Sequence, residues 1–233
     1  MEGYRALILD AVFPKRCLSC NVFGAWCCDE CLANVELTHR DPCVGCGTLT
    51  EHECTAQDTS LDGLIVIGFY HDPILRELLH TLKYHSATEL GETFASLIRF
   101  ATHDRNRAWP WAGEKGLALQ AVVGSPDRIR ARGFDQAEIV RDLVKQELLP
   151  WAKTSSLLVR GSAPSVQADL EPGPLRNANV QGIFSATQNG VPPEAVLLVD
   201  DVYTTGSTMK EAARVLKRAG VQRVYGFAMA IGK

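Results

Sequence analysis

No cysteine follows Cys54, although eight of the 233 residues are cysteine and all of them lie between Cys17 and Cys54. No apolar run approaches the roughly 18 residues of a membrane span, which excludes a transmembrane helix from the expected architecture. Positive charge is not in excess: the formal net charge is −3. That balance removes any global case for a nucleic-acid or anionic-membrane surface. The N-terminus lacks a basic region followed by a long apolar stretch, so no secretory signal is expected. Neither a Gly-Lys-Ser/Thr P-loop nor a Gly-x-Gly-x-x-Gly turn after a strand is present, so the two commonest nucleotide fingerprints are excluded. There is no internal repeat and no low-complexity tract.

The 46% apolar content is ample for a buried core, and the length suits one medium domain plus a small appendage. The cysteines mark the appendage. Cys17 and Cys20 form a C-x-x-C pair, as do Cys28 with Cys31 and Cys43 with Cys46; Cys54 closes the set and Cys27 is the odd residue. Two thiolates from one tight turn can reach the same ion, and two such pairs complete a tetrahedral zinc site. Without an export signal, this clustering favours metal over disulfides. Cys17, Cys20, Cys28 and Cys31 make one complete structural zinc site. Cys43, Cys46 and Cys54 supply three ligands of a second, because Gln57 stands where the last C-x-x-C would end. His52 can substitute as the fourth, and a crossed sharing of ligands between the pairs stays open. Gly47 suits the left-handed turn of such a knuckle. A module this small buries little apolar surface, so metal would supply much of its folding energy. Residues 1–60 carry Arg5, Lys15, Arg16 and Arg40 against nine acids. That balance argues against nucleic acid and for a folding clip or protein-docking module. The boundary is expected near residue 58, with a zinc-ribbon module at 1–58 and a larger domain at 59–233.

Residues 196–208 carry the most chemistry. Four apolar residues, 196–199, suit a strand buried on both faces. Asp200 and Asp201 stand where that strand would end, and Thr204, Thr205, Gly206, Ser207 and Thr208 lead into a helix. Thr208 with Glu211 reads as a capping box, Met209, Ala212, Ala213, Leu216 and Ala219 give one apolar face, and Gly220 a C-terminal cap. Amides at a helix N-terminus attract anions, and the hydroxyls add donors. The paired acids can accept bonds from vicinal sugar hydroxyls or help hold hydrated Mg²⁺. A phosphate beside a polyol is the ligand this turn suits.

Elsewhere, residues 62–70 read as a strand. Asp72 and Pro73 read as N-cap and N1 of a helix with an apolar stripe at Ile74, Leu75, Leu78, Leu79 and Leu82. A second helix runs through Leu90, Phe94, Leu97, Ile98 and Ala101, and residues 103–115 read as a surface connection. Residues 117–123 form another buried strand. Arg128, Arg130 and Arg132 then sit on a loop before a helix capped by Asp135, with Glu138 as its N3 partner. Such a loop suits a second, highly charged anion, or equally a solvated arginine face. Residues 157–159 read as a short strand, 161–182 as a polar loop able to cover a site, and 224–231 as a last core strand. Strands alternating with helices imply a twisted, mainly parallel sheet, with ligands at the carboxyl ends of its strands.

The 196–208 segment resembles the phosphoribosyl pyrophosphate (PRPP) signature of type I phosphoribosyltransferases. The chain as a whole, from about Phe13 to Ile231, resembles the ComF family. That likeness rests on the multi-C-x-x-C module, Leu82 with Lys83 and Tyr84, residues 132–137, Gln167 with Leu170, Arg176 with Asn179, and the PRPP signature. The resemblance implies an α/β fold of the type I phosphoribosyltransferase kind, with helices on both faces of the sheet and an N-terminal zinc ribbon. It implies contacts from Asp200 and Asp201 to ribose, from residues 204–208 to the 5′-phosphate, and from Ser125, Arg132 and Lys83 to pyrophosphate, with Mg²⁺ bound alongside PRPP. Lys83, Tyr84 and His85 are acid–base candidates by resemblance alone. Members of the family are cytoplasmic and linked to DNA uptake in natural transformation. Three departures stand out: Asp135 where the family has Asn, Gly124-Ser125-Pro126 where it has Pro-Val-Pro, and Pro172, Gly173 and Pro174 where a helix is expected. The first is expected to change little, since both residues cap helices well. The expected function is Mg²⁺-dependent phosphoribosyl transfer to an unidentified acceptor. The alternatives are a PRPP- or nucleotide-sensing module without chemistry that docks a DNA-uptake partner, and direct contact between residues 128–132 and single-stranded DNA.

Overall fold

The computed structural model describes residues 15–56, 58, 60–84, 87–103, 109–161, 182–187 and 191–232. Residues 162–181 of the covering loop expected at 161–182, with Gln167, Leu170, Arg176 and Asn179, lie outside the described residues, as do Phe13, Gln57 and His85. In chain order the elements are α1 (Asp29–Leu32), β1 (Gly63–Phe69), α2 (Pro73–Thr81), α3 (Ala87–His103), β2 (Leu117–Ala121), α4 (Pro126–Arg132) and α5 (Gln136–Leu148). They continue with β3 (Lys153–Thr154), β4 (Leu158–Arg160), β5 (Phe184–Ala186), β6 (Ala195–Tyr203), α6 (Ser207–Arg218) and β7 (Arg223–Ile231).

The apolar run of β6 places it at the centre of the sheet, where its first five residues are fully buried. β7 and β2 flank it, β1 lies beyond β7, and β3 beyond β2, giving the order β1-β7-β6-β2-β3. Every neighbouring pair is parallel, as βα alternation requires. Side chains alternate between the two faces. Ile65, Ile67, Leu197, Val199 and Phe227 join a core with Leu75, Leu78, Phe94, Ile98, Val140 and Val144 of α2, α3 and α5. Leu64, Val66, Val196, Leu198 and Val224 join a second core with Met209, Ala212, Ala213 and Leu216 of α6. The β4–β5 pair is antiparallel, separate from the main sheet, and packs Leu158 and Phe184 into that second core.

The cysteine-rich segment hooks around the β1 edge. Leu37 bridges Gly68 in antiparallel fashion, and Thr38 N–H donates to the Ile67 carbonyl at 2.9 Å. Before this crossing, Leu32 and Val35 pack into the first core; after it, Val44 and Leu49 pack against the second. Pairing at this position also covers the unpaired edge of β1. Asp72 fastens the hook: one carboxylate oxygen caps α2 through Leu75 N–H at 2.7 Å, and the other accepts from Glu36 N–H at 3.1 Å.

Four expectations are corrected. First, α6 starts at Ser207, not after Thr208. Gly206 is its N-cap with φ of 75°, and no side chain caps it. A residue in the left-handed region turns the chain directly into the helix, and Glu211 is drawn instead to Arg214 and to Gly182 N–H. Second, Arg128, Arg130 and Arg132 lie on a helix, α4, rather than a loop. Ser125 caps its start and left-handed Gly133 its end. Third, Trp111 in the presumed surface connection is 3% exposed. It stacks on Trp109 at 5.1 Å and packs in the first core. Fourth, β6 continues through both acids to Tyr203, so Asp200 and Asp201 lie within its last residues.

Candidate functional site

A cavity of about 700 Å³ opens where β2 and β6 end. Asp200, Asp201, Val202, Thr204 and Thr208 line it from the β6–α6 turn. Gly124, Ser125, Arg128 and Arg132 line it from the β2–α4 turn, and Lys83 from the end of α2. The structure therefore brings Asp200, Asp201, Arg132, Ser125, Lys83, Thr204 and Thr208 to one cavity. Thr205, Gly206 and Ser207 complete the turn but are not part of the lining. There the Thr205 hydroxyl lies 2.8 Å from that of Ser207.

The two acids are held by the chain that follows them. Asp200 accepts from Asp201 N–H at 2.9 Å and Asp201 from Val202 N–H at 2.8 Å. Enclosure by protein, then the Asp201 charge, push the Asp200 carboxyl well above the ordinary range. An acid so placed favours a cation or hydroxyl donors opposite it. The guanidinium groups of Arg128, Arg132 and Arg160 line the same cavity. Arg132 donates to Gln136 Oε1 at 2.6 Å. The Nε2 of that 8%-exposed glutamine is buried, with no hydrogen-bond partner among the described residues. A buried donor without an acceptor is costly, and a bound anion would satisfy it. Carboxylates and guanidinium groups in one lining, with the unpartnered Gln136 amide beside them, fit a Mg²⁺–diphosphate ligand.

Arg160 was not singled out by the sequence. It lines the cavity from β4, donates to the Val123 carbonyl at 3.2 Å and lies over the Phe184 ring. Burial, then the Arg128 charge, lower its pKa against the raising effect of Asp200 and Asp135. Only the folding of the β4–β5 pair onto the sheet carries it there, so its local sequence offers no signal. Gln136 was legible only as part of a motif.

Two of the family departures prove to be linked. Asp135 accepts from Gly124 N–H at 2.7 Å with one oxygen and from Ala137 N–H at 3.0 Å with the other. A proline at position 124 would have no N–H to offer, and Asn could accept through one side-chain oxygen only. Gly124 and Asp135 therefore form a matched pair. Asp135 caps the helix as expected and adds a second tether across the β2–α4 turn.

Gly206 is fixed by more than its φ. A Cβ there would lie 2.1 Å from the Tyr203 hydroxyl oxygen. Gly206→Ala is expected to destabilise the protein by more than about 1 kcal/mol and to displace the turn. Chemical denaturation checks the first effect, and phosphate-ligand affinity the second.

The cysteines gather into two sets. Cys17, Cys20, Cys28 and Cys31 bring their sulfurs within 4.8 Å of one another, and so do the donor atoms of Cys43, Cys46, His52 and Cys54. Both sets can hold a metal ion, and their soft sulfur and imidazole donors suit Zn²⁺. His52 takes the position left vacant by Gln57. Its Nε2 is 3.0 Å from Cys46 Sγ, and its Nδ1 is 2.8 Å from the Thr50 carbonyl, the second contact that orients a ligating imidazole. The donors cluster in chain order, without crossing. Cys27 is buried in the first core and belongs to neither set.

Residues 175–233 match the phosphoribosyl transferase domain. With the parallel sheet and the Asp200 turn, that match makes this a phosphoribosyltransferase-like protein. Similarity to known proteins extends much further along the chain. Competence protein F of Haemophilus influenzae is 28% identical over 233 aligned residues, covering 87% of this chain and 96% of that protein. The DNA utilization protein YhgH of Salmonella typhimurium is 30% identical, covering 78% of this chain and 80% of its own. Competence protein ComFC of Streptococcus pneumoniae is 24% identical, covering 87% and 86%. The chain belongs to the ComF family.

Proposed function

We propose that the cavity binds Mg²⁺–PRPP and that the protein transfers the phosphoribosyl group to an acceptor nitrogen or oxygen. The observation that carries this reading is the gathering of Asp200 and Asp201 with Arg128, Arg132 and Arg160 in the lining of one cavity. In it, Asp200 and Asp201 accept from the ribose hydroxyls. The amides and hydroxyls of residues 204–208, at the α6 N-terminus, take the 5′-phosphate. Ser125, Lys83, Arg132 and Arg160 hold the pyrophosphate, and Gln136 keeps Arg132 aimed at it. Mg²⁺, when bound, neutralises pyrophosphate charge. The bond from the anomeric carbon to pyrophosphate breaks with its electron pair leaving on the pyrophosphate, which the guanidinium groups stabilise. The acceptor's lone pair forms the new bond to that carbon, and the acceptor's proton passes to the departing pyrophosphate or to solvent. Zinc in the two donor sets is structural, and residues 1–58 act as a clip and docking module on the domain at 59–233.

The relatives' names, competence protein and DNA utilization protein, support a role in DNA uptake. No helix among the described residues is long and apolar enough to cross a membrane, which is compatible with a cytoplasmic site of action. The alternative is a sensor without chemistry: Asp135 already accepts backbone N–H bonds with both oxygens, and Asp200 and Asp201 accept with one oxygen each. Pyrophosphate release discriminates the two readings. Transfer requires release that depends on an added acceptor, across a panel of nucleobases, amines and alcohols. PRPP binding with no release from any acceptor assigns the site to sensing. Steeply salt-dependent binding of single-stranded DNA would instead support the arginine-bearing α4 as a DNA contact.

A further inference from the structure

We propose that Lys210 is a positioning residue through which metal at Cys43, Cys46, His52 and Cys54 holds the phosphate loop of residues 204–208 in its binding geometry. Lys210 sits in the first turn of α6, and its N–H donates to the Gly206 carbonyl at 2.9 Å, the bond that closes the turn. Its side chain is not on the solvent face: the residue is 8% exposed. A buried ammonium is tolerated only when its donors are matched. Here Nζ donates to the carbonyl of Gly45 and lies 3.8 Å from Asp58 Oδ2.

Gly45 belongs to the second knuckle, between Cys43 and Cys46. A Cβ on it would lie 2.8 Å from Cys54 Sγ and 3.0 Å from Ala56 Cβ. Its backbone is thus gripped inside the ligand loop, and the direction of its carbonyl depends on that loop being closed. Closing the loop is what a four-donor metal site does.

The tie continues along α6. Asp58 also pairs with Arg214 at 2.8 Å, and Arg214 with Glu211 at 3.0 Å. Glu211 accepts from Gly182 N–H at 3.3 Å, where the chain returns to β5. Beneath this ionic chain, Val44 and Leu49 pack against the core that contains Tyr203 and Met209. The first knuckle lies on the opposite face of the sheet, against α2 and α3, and serves as an internal control. The two sites also differ in access: Cys46, His52 and Cys54 are exposed in the second, whereas in the first Cys20 is exposed and Cys17 is buried. A chelator is therefore expected to empty the second site first.

The ligand part of this inference rests on the phosphoribosyl reading of the loop; the coupling itself does not. The test uses full-length protein loaded with zinc, in three forms: wild type, His52→Ala with Cys54→Ser, and Lys210→Met. Lys210→Met keeps the buried volume and both metal sites while removing the tie. Metal content is measured for each. Hydrogen exchange is followed at the amides of residues 203–213 and, as control, of β1 and α2, and affinity for Mg²⁺–PRPP is titrated. Both variants are expected to speed exchange at 203–213 at least tenfold, to leave the control amides unchanged, and to weaken Mg²⁺–PRPP at least tenfold. Lys210→Met achieves this with two zinc ions still bound, which a role in metal retention would not produce. Combining the substitutions adds little to either alone, as expected for one shared path. Unchanged exchange at 203–213 in Lys210→Met, or additive effects in the combined variant, would overturn the proposal. If wild type binds no PRPP while exchange responds as expected, the coupling stands and the ligand assignment fails.

Discussion

Asp200→Asn is expected to make the ligand-free protein more stable and the ligand-binding protein nearly useless. The wild-type carboxyl is pushed upward by enclosure in protein and then by the Asp201 charge, so its ionised form is disfavoured in the folded state. The sign follows from linkage. A carboxyl with a raised folded pKa binds more protons folded than unfolded between the two pKa values, so stability falls as pH rises through that interval. Asn cannot ionise, yet its carbonyl can still accept from Asp201 N–H, as Asp200 Oδ1 does at 2.9 Å. The variant's thermal midpoint should therefore exceed that of wild type at pH 8 by several degrees, since each kcal/mol moves the midpoint about 2–4 °C at this size. The gap should shrink as pH falls toward the unfolded carboxyl value of about 4. Affinity for Mg²⁺–PRPP should fall at least about a hundredfold, the cost of removing one charged partner from an enclosed polar site being about 3 kcal/mol or more. Scanning calorimetry from pH 5 to 8, together with titration, checks both. Equal midpoints across that range would show that Asp200 is not under electrostatic strain. This trade of stability for a charged site is typical of binding pockets.

Dismantling the first metal set is expected to produce the largest structural effect. In Cys20→Ser with Cys31→Ser, two of the four sulfurs within 4.8 Å of one another are lost. Little else holds that stretch: its one helix, α1, is four residues long and has Leu32 as its only buried residue. Structural zinc supplies about 10–16 kcal/mol in small peptides of this kind, far more than such a core provides. Leu32 and Val35 also complete the first core, so the loss reaches the main sheet. The midpoint should drop by more than about 10 °C, and protease should cut within residues 15–35 before cutting elsewhere. Metal analysis should show at most one zinc. A variant without this metal and with an unchanged midpoint would mean that the knuckle folds on packing alone.

How much of this was legible depended on whether the signal was local. Asp200, Asp201 and Gly206 announce themselves because a buried strand, paired acids and a tight turn occupy consecutive positions. The cysteine sets were legible from spacing, and His52 as a substitute from its chemistry. Asp72 and Asp135 were legible as caps, but not their second bonds, to Glu36 N–H and Gly124 N–H. Those depend on which segments the fold brings alongside. Arg160 reaches the cavity only because β4 and β5 pair outside the main sheet, and Trp111 is buried only because the chain before β2 folds back on Tyr225, at 6.2 Å ring to ring. The start of α6 was misplaced by a rule that assigns caps to hydroxyl side chains. The left-handed turn at Gly206, wedged against Tyr203, took precedence. Lys210, Asp58 and Arg214 look like ordinary surface charges in sequence. Only the contact between the second knuckle and α6 makes them a network.

The measurement that most directly tests the central claim is calorimetric titration of zinc-replete wild-type protein with PRPP, with and without Mg²⁺. Asp200→Asn with Asp201→Asn is titrated beside it. One saturable site is expected, weakened when Mg²⁺ is withheld and absent in the double variant. No binding by wild type, or equal binding by the double variant, would contradict it.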